Sequence, residues 1–274
     1  MIASVRRALL HLLLALVVLV FLAPIVWFLL LAIRPPQSGT SGSNSLLFVP
    51  DLTALHYVFV SPGQGRSALL ASLLQAGAST VIALPLAVAA SYGLTRFKFR
   101  GRRLLSTWYL GLMLAPPVVF VLPLFVVMSR LGLIGGNLGV ILTFQTFAIP
   151  LGVLLLRGFF EDIPMEIEEA GLVDGCGRMR CLIRVVLPMV APGLVVAGVF
   201  IFVFCWNNLI FAMPMTGGRS VPLTVRALSY FATSGISWNY IAATAAVSMA
   251  VPMLLFWALR RHIVSGLTFG AVKG

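Results

Sequence analysis

Six of the seven acidic residues in this chain, Glu161, Asp162, Glu166, Glu168, Glu169 and Asp174, fall within one window of fourteen positions. Glycines at 171, 175 and 177 follow or interrupt them, and Arg178, Arg180 and Arg184 come next. Carboxylates in such a cluster could hold a metal or start a helix. Cys176 and Cys181 stand close by, but no histidine is near, so a zinc site is a poor fit. The three cysteines form no recognisable disulfide pattern. Only two lysines occur, Lys98 and Lys273, and neither lies in a G-x-x-x-x-G-K-[ST] loop. The chain therefore cannot cradle ATP by a Walker A motif. No nucleophile with a positioned base is legible either, which argues against a membrane-embedded hydrolase.

The elements that must position this window are apolar. Sixty per cent of residues are hydrophobic and 9% charged, with a mean hydropathy of +1.07. Soluble domains carry about 25% charged residues, so most of this surface must face lipid. Stretches free of Asp, Glu, Lys and Arg run over 8–33, 67–95, 104–129, 131–156, 185–218 and 227–259. Each exceeds the roughly 20 residues a helix needs to cross the hydrocarbon core. The expectation is an all-α membrane protein with six transmembrane helices, at about 9–31, 69–94, 106–128, 136–156, 192–213 and 241–260, in one domain over 1–274. The apolar part of the first run is too long for a secretory h-region and no A-x-A-like site follows it, so a retained helix is expected.

Threading six spans from a cytoplasmic N-terminus puts fourteen Lys and Arg residues on the inner side. Only Arg34, Arg66, Arg130, Arg219 and Arg226 face outward. This bias predicts that both termini and the acidic window are cytoplasmic. The net charge of +12 then belongs to topology and anionic headgroups rather than to nucleic acid. Since the spans hold no Asp, Glu, Lys or Arg, an ion-coupled transporter is disfavoured; such proteins place ionisable groups at membrane depth. Prolines at 24, 85, 116, 117, 123, 150 and 252 kink the bundle in the manner of a transport pathway. Uphill transport would need energy from a partner.

The acidic window lies in a cytoplasmic loop, 157–189. Pro164 suits an early helical position, and Glu166, Glu168 and Glu169 complement the positive end of the helix dipole. Ile163, Ile167 and Ala170 make an apolar stripe at helical spacing. The glycines predict that this helix ends near Val173–Gly175. A second short helix carrying Arg178, Arg180 and Arg184 is expected to run to Pro188. A solvated loop would account for the charge. Small residues at Ala170 and Gly171 beside an apolar stripe favour docking against another surface.

Glu169-Ala170-Gly171, three residues, Gly175, nine residues, Val185, one residue and Leu187-Pro188 resemble the E-A-A-x3-G-x9-I-x-L-P loop of bacterial ABC importer permeases. Gly171 replaces the second alanine and Val185 the isoleucine. The ending SGLTFGAVKG is similar to the G-L-T-x-G-A-V-K-G tail of carbohydrate-uptake permeases of the maltose-transporter G-subunit type. APIVWFLLLAIRP, MSRLGLIGGNLGVIL and FCWNNLIFA also match, so the resemblance covers essentially the whole chain. Members usually carry an acidic residue where this sequence has Asn208.

The resemblance implies a type I importer permease fold whose loop is a coupling helix seated in an ATPase groove, switching the permease by rigid-body alternating access. Glu169 would contact that groove, Ala170 and Gly171 would pack closely, and Asp174 and Gly175 would form the turn. Lys273, in the tail 265–274, would reach the same interface. The implied partners are a second homologous permease, two ABC ATPase subunits that carry ATP and Mg, and an extracytoplasmic solute-binding protein, in a bacterial cell membrane. No cofactor or metal is expected in this chain, and it is not by itself an enzyme. The implied solute is a sugar or sugar-like molecule, with glycerol phosphate or polyols as alternatives. A sugar cavity needs hydrogen-bonding groups and aromatic faces. Candidates are Gln145, Thr146, Trp206, Asn207, Asn208, Thr244 and Ser248, whose competing role is bonding between helices.

Overall fold

A computed structural model describes residues 2–35, 48–59, 64–232 and 235–269. Helices α1 (Ile2–Ala32), α2 (Thr53–Phe59) and α3 (Gln64–Arg96) come first. α4 (Arg102–Leu114), α5 (Val118–Arg130) and α6 (Asn137–Glu161) follow. The acidic window forms α7 (Met165–Val173), and α8 (Arg178–Cys181) passes through a π turn, Leu182–Val186, into α9 (Leu187–Trp206). Then come α10 (Leu209–Met215), a 3-10 turn at Gly218–Ser220 and α11 (Leu223–Leu228). An antiparallel hairpin of β1 (Phe231–Ala232) and β2 (Gly235–Ile236) pairs Phe231 with Ile236, and α12 (Trp238–Phe269) follows.

Among the described residues, five helical stretches are long and apolar enough to cross a membrane: Leu9–Ala32, Gly65–Arg96, Asn137–Glu161, Arg178–Trp206 and Trp238–Arg261. The pair α4 and α5 makes a sixth if taken together, bent by 103°. A continuous helix over 106–128 is thus replaced by two short ones. Ala115 is extended, with ψ 136°, because a residue before proline is pushed out of the helical region and Pro116 and Pro117 supply no N–H. The expected fifth span, 192–213, is likewise interrupted. α9 stops at Trp206, and Asn208 is extended and accepts the Phe211 N–H through its side chain at 3.1 Å. That is an N-cap, and it starts α10 anew.

The second loop helix does not end at Pro188. Leu187 donates to the Leu182 carbonyl, an i to i+5 bond. The π turn shifts the ladder just ahead of Pro188, which lies in the first turn of α9. A proline that would break an uninterrupted α-helix is accommodated there.

The chain divides into two compact units, Met1–Leu69 with Leu223–Val251, and Leu70–Pro222 with Pro252–Gly274. In the first, the apolar side chains of α1, such as Leu12, Leu19 and Phe21, remain exposed. Tyr240 meets Tyr57 edge-on at 5.3 Å and stacks on Tyr230 at 5.5 Å. In the second, α3, α6 and α9 enclose the core. Ala87, Tyr92, Val153, Leu156, Phe160, Val186, Val190 and Ala197 are buried together. Small residues allow this approach, as they do between membrane helices generally. A Cβ on Gly152 would lie 2.6 Å from the Ala87 Cβ, and one on Gly193 would lie 2.5 Å from the Phe159 ring.

Polar ties close the far end of the second unit. Buried Gln75 donates to Asn137 Oδ1 at 2.9 Å and to the Ser220 carbonyl at 2.7 Å. Ser220 in turn donates to the Gly135 carbonyl at 2.8 Å. These bonds satisfy groups that lipid could not.

Candidate functional site

The acidic residues do not share one environment. Pro164 occupies the N-cap position of α7, so the helix begins at Met165 with Glu166 and Glu168 in its first turn. Ile163 is buried and Ile167 packs at the edge of the core, whereas Ala170 is exposed. The apolar stripe expected through Ala170 therefore turns instead through Glu168 and Gly171. Glu168 is 6% exposed. One of its carboxylate oxygens accepts from the Tyr92 hydroxyl; the other pairs with Arg96 Nε at 2.9 Å. Arg96 Nη2 also donates to the Ile163 carbonyl at 2.9 Å. A buried carboxylate must find such partners.

Gly171 faces inward as well. A Cβ there would lie 3.2 Å from Cys181 Sγ, so the small residue serves the close approach of α7 to α8 within this chain. The opposite face is open. Glu166, Glu169, Ala170, Leu172 and Asp174 are exposed, and Val173 is 87% exposed. Met179 and Ile183 extend the exposed apolar surface along the next turns.

The helix end is closed by a Schellman motif. The Cys176 N–H bonds to the Gly171 carbonyl at 3.0 Å, and the Gly175 N–H to the Leu172 carbonyl at 3.1 Å. Gly175 has φ +84°, the left-handed conformation this cap requires and that glycine adopts without strain. Arg178 then lies over the Phe97 ring at 5.2 Å, tying α8 to the segment that follows α3. Lys273 lies outside the described residues.

Sequence reasoning missed Glu168, Arg96 and Tyr92. A signal was present: Glu168 falls on the same helical face as Ile163, Ile167 and Gly171. A carboxylate on an apolar face demands a buried partner.

The candidate pathway residues divide. Gln145 donates to the Ile141 carbonyl at 2.9 Å and to the Ser79 carbonyl at 3.4 Å. Trp206 is buried and stacks on Phe202 at 5.7 Å. Exposed Asn207 donates to the Val203 carbonyl at 3.1 Å, and Asn208 caps α10. Thr146 and Ser248 are half-buried, and Thr244 is buried. Gln145, Thr146, Trp206, Asn207 and Asn208 belong to one unit, Thr244 and Ser248 to the other. Around the α9–α10 break, Phe147 meets Phe120 and Phe211 at 5.4 Å and Phe204 at 6.3 Å. A groove of about 330 Å³ beside Thr80, Leu84, Gly198, Phe202 and Leu255 is apolar and uses none of the candidates. Among the described residues, no three His, Cys, Asp or Glu side chains gather as metal ligands.

Long apolar helices, a broken span lined with aromatic and amide side chains, and a short capped helix with one exposed face are the features of a multi-pass membrane protein. Residues 82–268 match the model of the family described as binding-protein-dependent transport system inner membrane component. The chain is 33% identical over 257 residues to the trehalose transport system permease protein SugB of Mycobacterium tuberculosis, covering 92% of this chain and 93% of that one. It is 31% identical to the diacetylchitobiose uptake system permease protein DasC of Streptomyces coelicolor, over 92% and 91% of the two chains. Its fold is similar to that in the crystal structure of a bacterial ABC transporter involved in import of the acidic polysaccharide alginate. There the TM-score is 0.75 at 21% identity, over 95% of this chain and 96% of that one. The chain belongs to the binding-protein-dependent transport system inner membrane component family, the permeases of ABC importers.

Proposed function

We propose that the chain forms half of the translocation pathway of an importer for a sugar or sugar-like solute, and that partner ATPase subunits drive it through α7. The observation that carries this reading is the divided face of α7. Glu168 is spent inside the chain, while Glu169, Ala170, Leu172, Val173 and Asp174 stand exposed beside Met179 and Ile183. An exposed apolar and acidic ridge on a capped helix is a surface for a soluble partner. In this reading Glu169 pairs with a basic group of the ATPase groove, Ala170 lets the helix seat closely, and Asp174 and Gly175 set the turn. Gly171 keeps α7 tight on α8, and Lys273 reaches the same partner from the tail.

The remaining partners follow from the same reading: a second homologous permease, two ATPase subunits holding ATP and Mg, and an extracytoplasmic solute-binding protein. A solved relative of the same fold is in complex with an alginate pentasaccharide-bound periplasmic protein. In this reading both termini and α7 face the cytoplasm, the threading that gives a fourteen-to-five bias of Lys and Arg to the inner side. The relatives named for trehalose and diacetylchitobiose support a neutral oligosaccharide. Thr146 and Asn207 in one unit, and separately Thr244 and Ser248 in the other, are the hydroxyl and amide candidates for bonding such a solute; Trp206, Asn208 and Gln145 hold helices within their own unit.

The reading is tested by expressing the chain with the permease, ATPase and binding-protein genes beside its own and measuring uptake of a labelled panel. The panel holds trehalose, chitooligosaccharides, glycerol phosphate, polyols and amino acids. Uptake of an oligosaccharide that stops when ATP is depleted is expected. Uptake that follows an ion gradient with ATP exhausted, or that selects an amino acid, contradicts it.

A further inference from the structure

The coupling helix is joined covalently to α6 through residues 162–164 and to α8 through residues 174–177. Neither connection reaches α3, yet the Glu168 side chain of α7 finds its polar partners there, Tyr92 lying 76 positions away in sequence. Arg96, the last residue of α3, holds two points at once: the carboxylate of Glu168 in the first turn of α7, and the carbonyl of Ile163 just before the helix. Tyr92, one turn earlier on α3, takes the other Glu168 oxygen. Its ring meets Phe97 and Phe160 edge-on at 5.8 and 6.0 Å. Both charged side chains are 8% exposed. Two hydrogen bonds, Tyr92 to Glu168 and Arg96 to the Ile163 carbonyl, and one ion pair, Arg96 with Glu168, thus join α3 to α7 in a nearly dry site, where polar contacts hold orientation better than apolar contact does.

We propose that Arg96 and Tyr92 are positioning residues that clamp Glu168, so that α7 and α3 move as one body when the ATPase partners act on α7. This rests on the reading of α7 as the energy-coupling element. The two neighbouring glutamates then have different tasks: Glu169 faces the partner, and Glu168 carries the motion inward. The helix that receives it is 33 residues long, about 50 Å at 1.5 Å per residue. It is also bonded to α6 through Ser91, which donates to the Val153 carbonyl at 3.2 Å. Motion of a surface helix is thereby delivered to a span that the loop connections alone would leave behind.

A buried ion pair that merely supports the fold behaves differently from a clamp. Replacing both partners with apolar residues of similar volume commonly preserves stability, whereas removing one leaves an uncompensated charge. The deciding variant is therefore Arg96→Met/Glu168→Leu, made in the complete importer purified with its partner subunits. The native cysteines are replaced, and nitroxides are placed at the exposed positions Val81 on α3 and Glu166 on α7. Pulsed electron resonance reads their separation without nucleotide and after trapping with ATP and vanadate.

With Arg96 and Glu168 in place, the separation should hold to within about 2 Å on trapping, the scale of ordinary helix shifts in switching proteins. The double variant should retain its ATPase subunits, and its distance distribution should broaden without nucleotide and shift by more than that amount on trapping. The proposal is overturned if the distribution in the double variant matches that of the intact pair. It is also overturned if the separation changes on trapping with the pair intact, or if the double variant loses its ATPase subunits. Failure of the unaltered chain to retain any ATPase contradicts the transporter reading instead; the broadening without nucleotide still tests the clamp.

Discussion

At the scale of single residues, backbone conformation and close approach decide what each small side chain is for. Gly175 has φ +84° and nothing within 4 Å of its Cβ position, so the cost of Gly175→Ala is conformational and not steric. About 1 kcal/mol is expected, read as weaker retention of partner ATPase with unchanged membrane insertion. Gly152 presents the opposite case. Its Cβ would meet the Ala87 Cβ at 2.6 Å, and helices rather than side-chain tips must yield. Gly152→Ala should cost about 1–3 kcal/mol by overpacking, measured as a lower melting temperature in detergent. The Asn208 side chain caps α10. Asn and Asp cap helices about equally well, so Asn208→Asp should leave thermal stability unchanged. Asn208→Ala should lose about 1 kcal/mol. Equal losses in both variants would mean that the cap is not what Asn208 contributes.

Among elements, the informative features are the places where helices stop, bend or change pitch. The π turn at Leu182–Val186 carries one residue more than an α-helical path needs, immediately ahead of Pro188. Deleting exposed Ile183 would restore an α-helical ladder and set Pro188 against a carbonyl four residues back, at a cost of about 3 kcal/mol. Folded yield should fall with the deletion and recover when Pro188→Ala is added; no recovery would remove the proline from the explanation. Much of this level was legible from charge alone. The charge-free runs located α1, α3, α6 and α12, because lipid excludes ionised side chains whatever the local packing. The bend at Ala115 was present in the Pro116–Pro117 pair but was read as a kink within one span. The continuation past Pro188 was not legible, since a π turn depends on hydrogen bonding that no propensity reports. Glu168 lay between the two cases. Composition shows that three glutamates crowd α7, and only helical facing shows that one of them turns toward Ile163 and Ile167.

For the whole molecule, the proposal is that lipid-facing helices carry one surface helix, α7, on which partner ATPase subunits act. The basic residues set the direction. A green fluorescent protein fused after the C-terminus should fluoresce, and alkaline phosphatase fused there should stay inactive, because the proposed threading assigns fourteen of the nineteen Lys and Arg residues to the cytoplasmic side with α7. An active phosphatase would invert the topology and place α7 out of reach of any ATPase. The central claim concerns α7 itself, and its most exposed apolar residue is Val173. The most direct measurement is ATP hydrolysis by the importer in proteoliposomes, with and without its solute-binding protein, for the unaltered chain and for Val173→Arg. The account predicts stimulation by the binding protein in the unaltered importer and a loss of about tenfold or more in the variant, equivalent to 1.4 kcal/mol of docking energy. Undiminished stimulation in the variant would contradict the claim that α7 is where the ATPase takes hold.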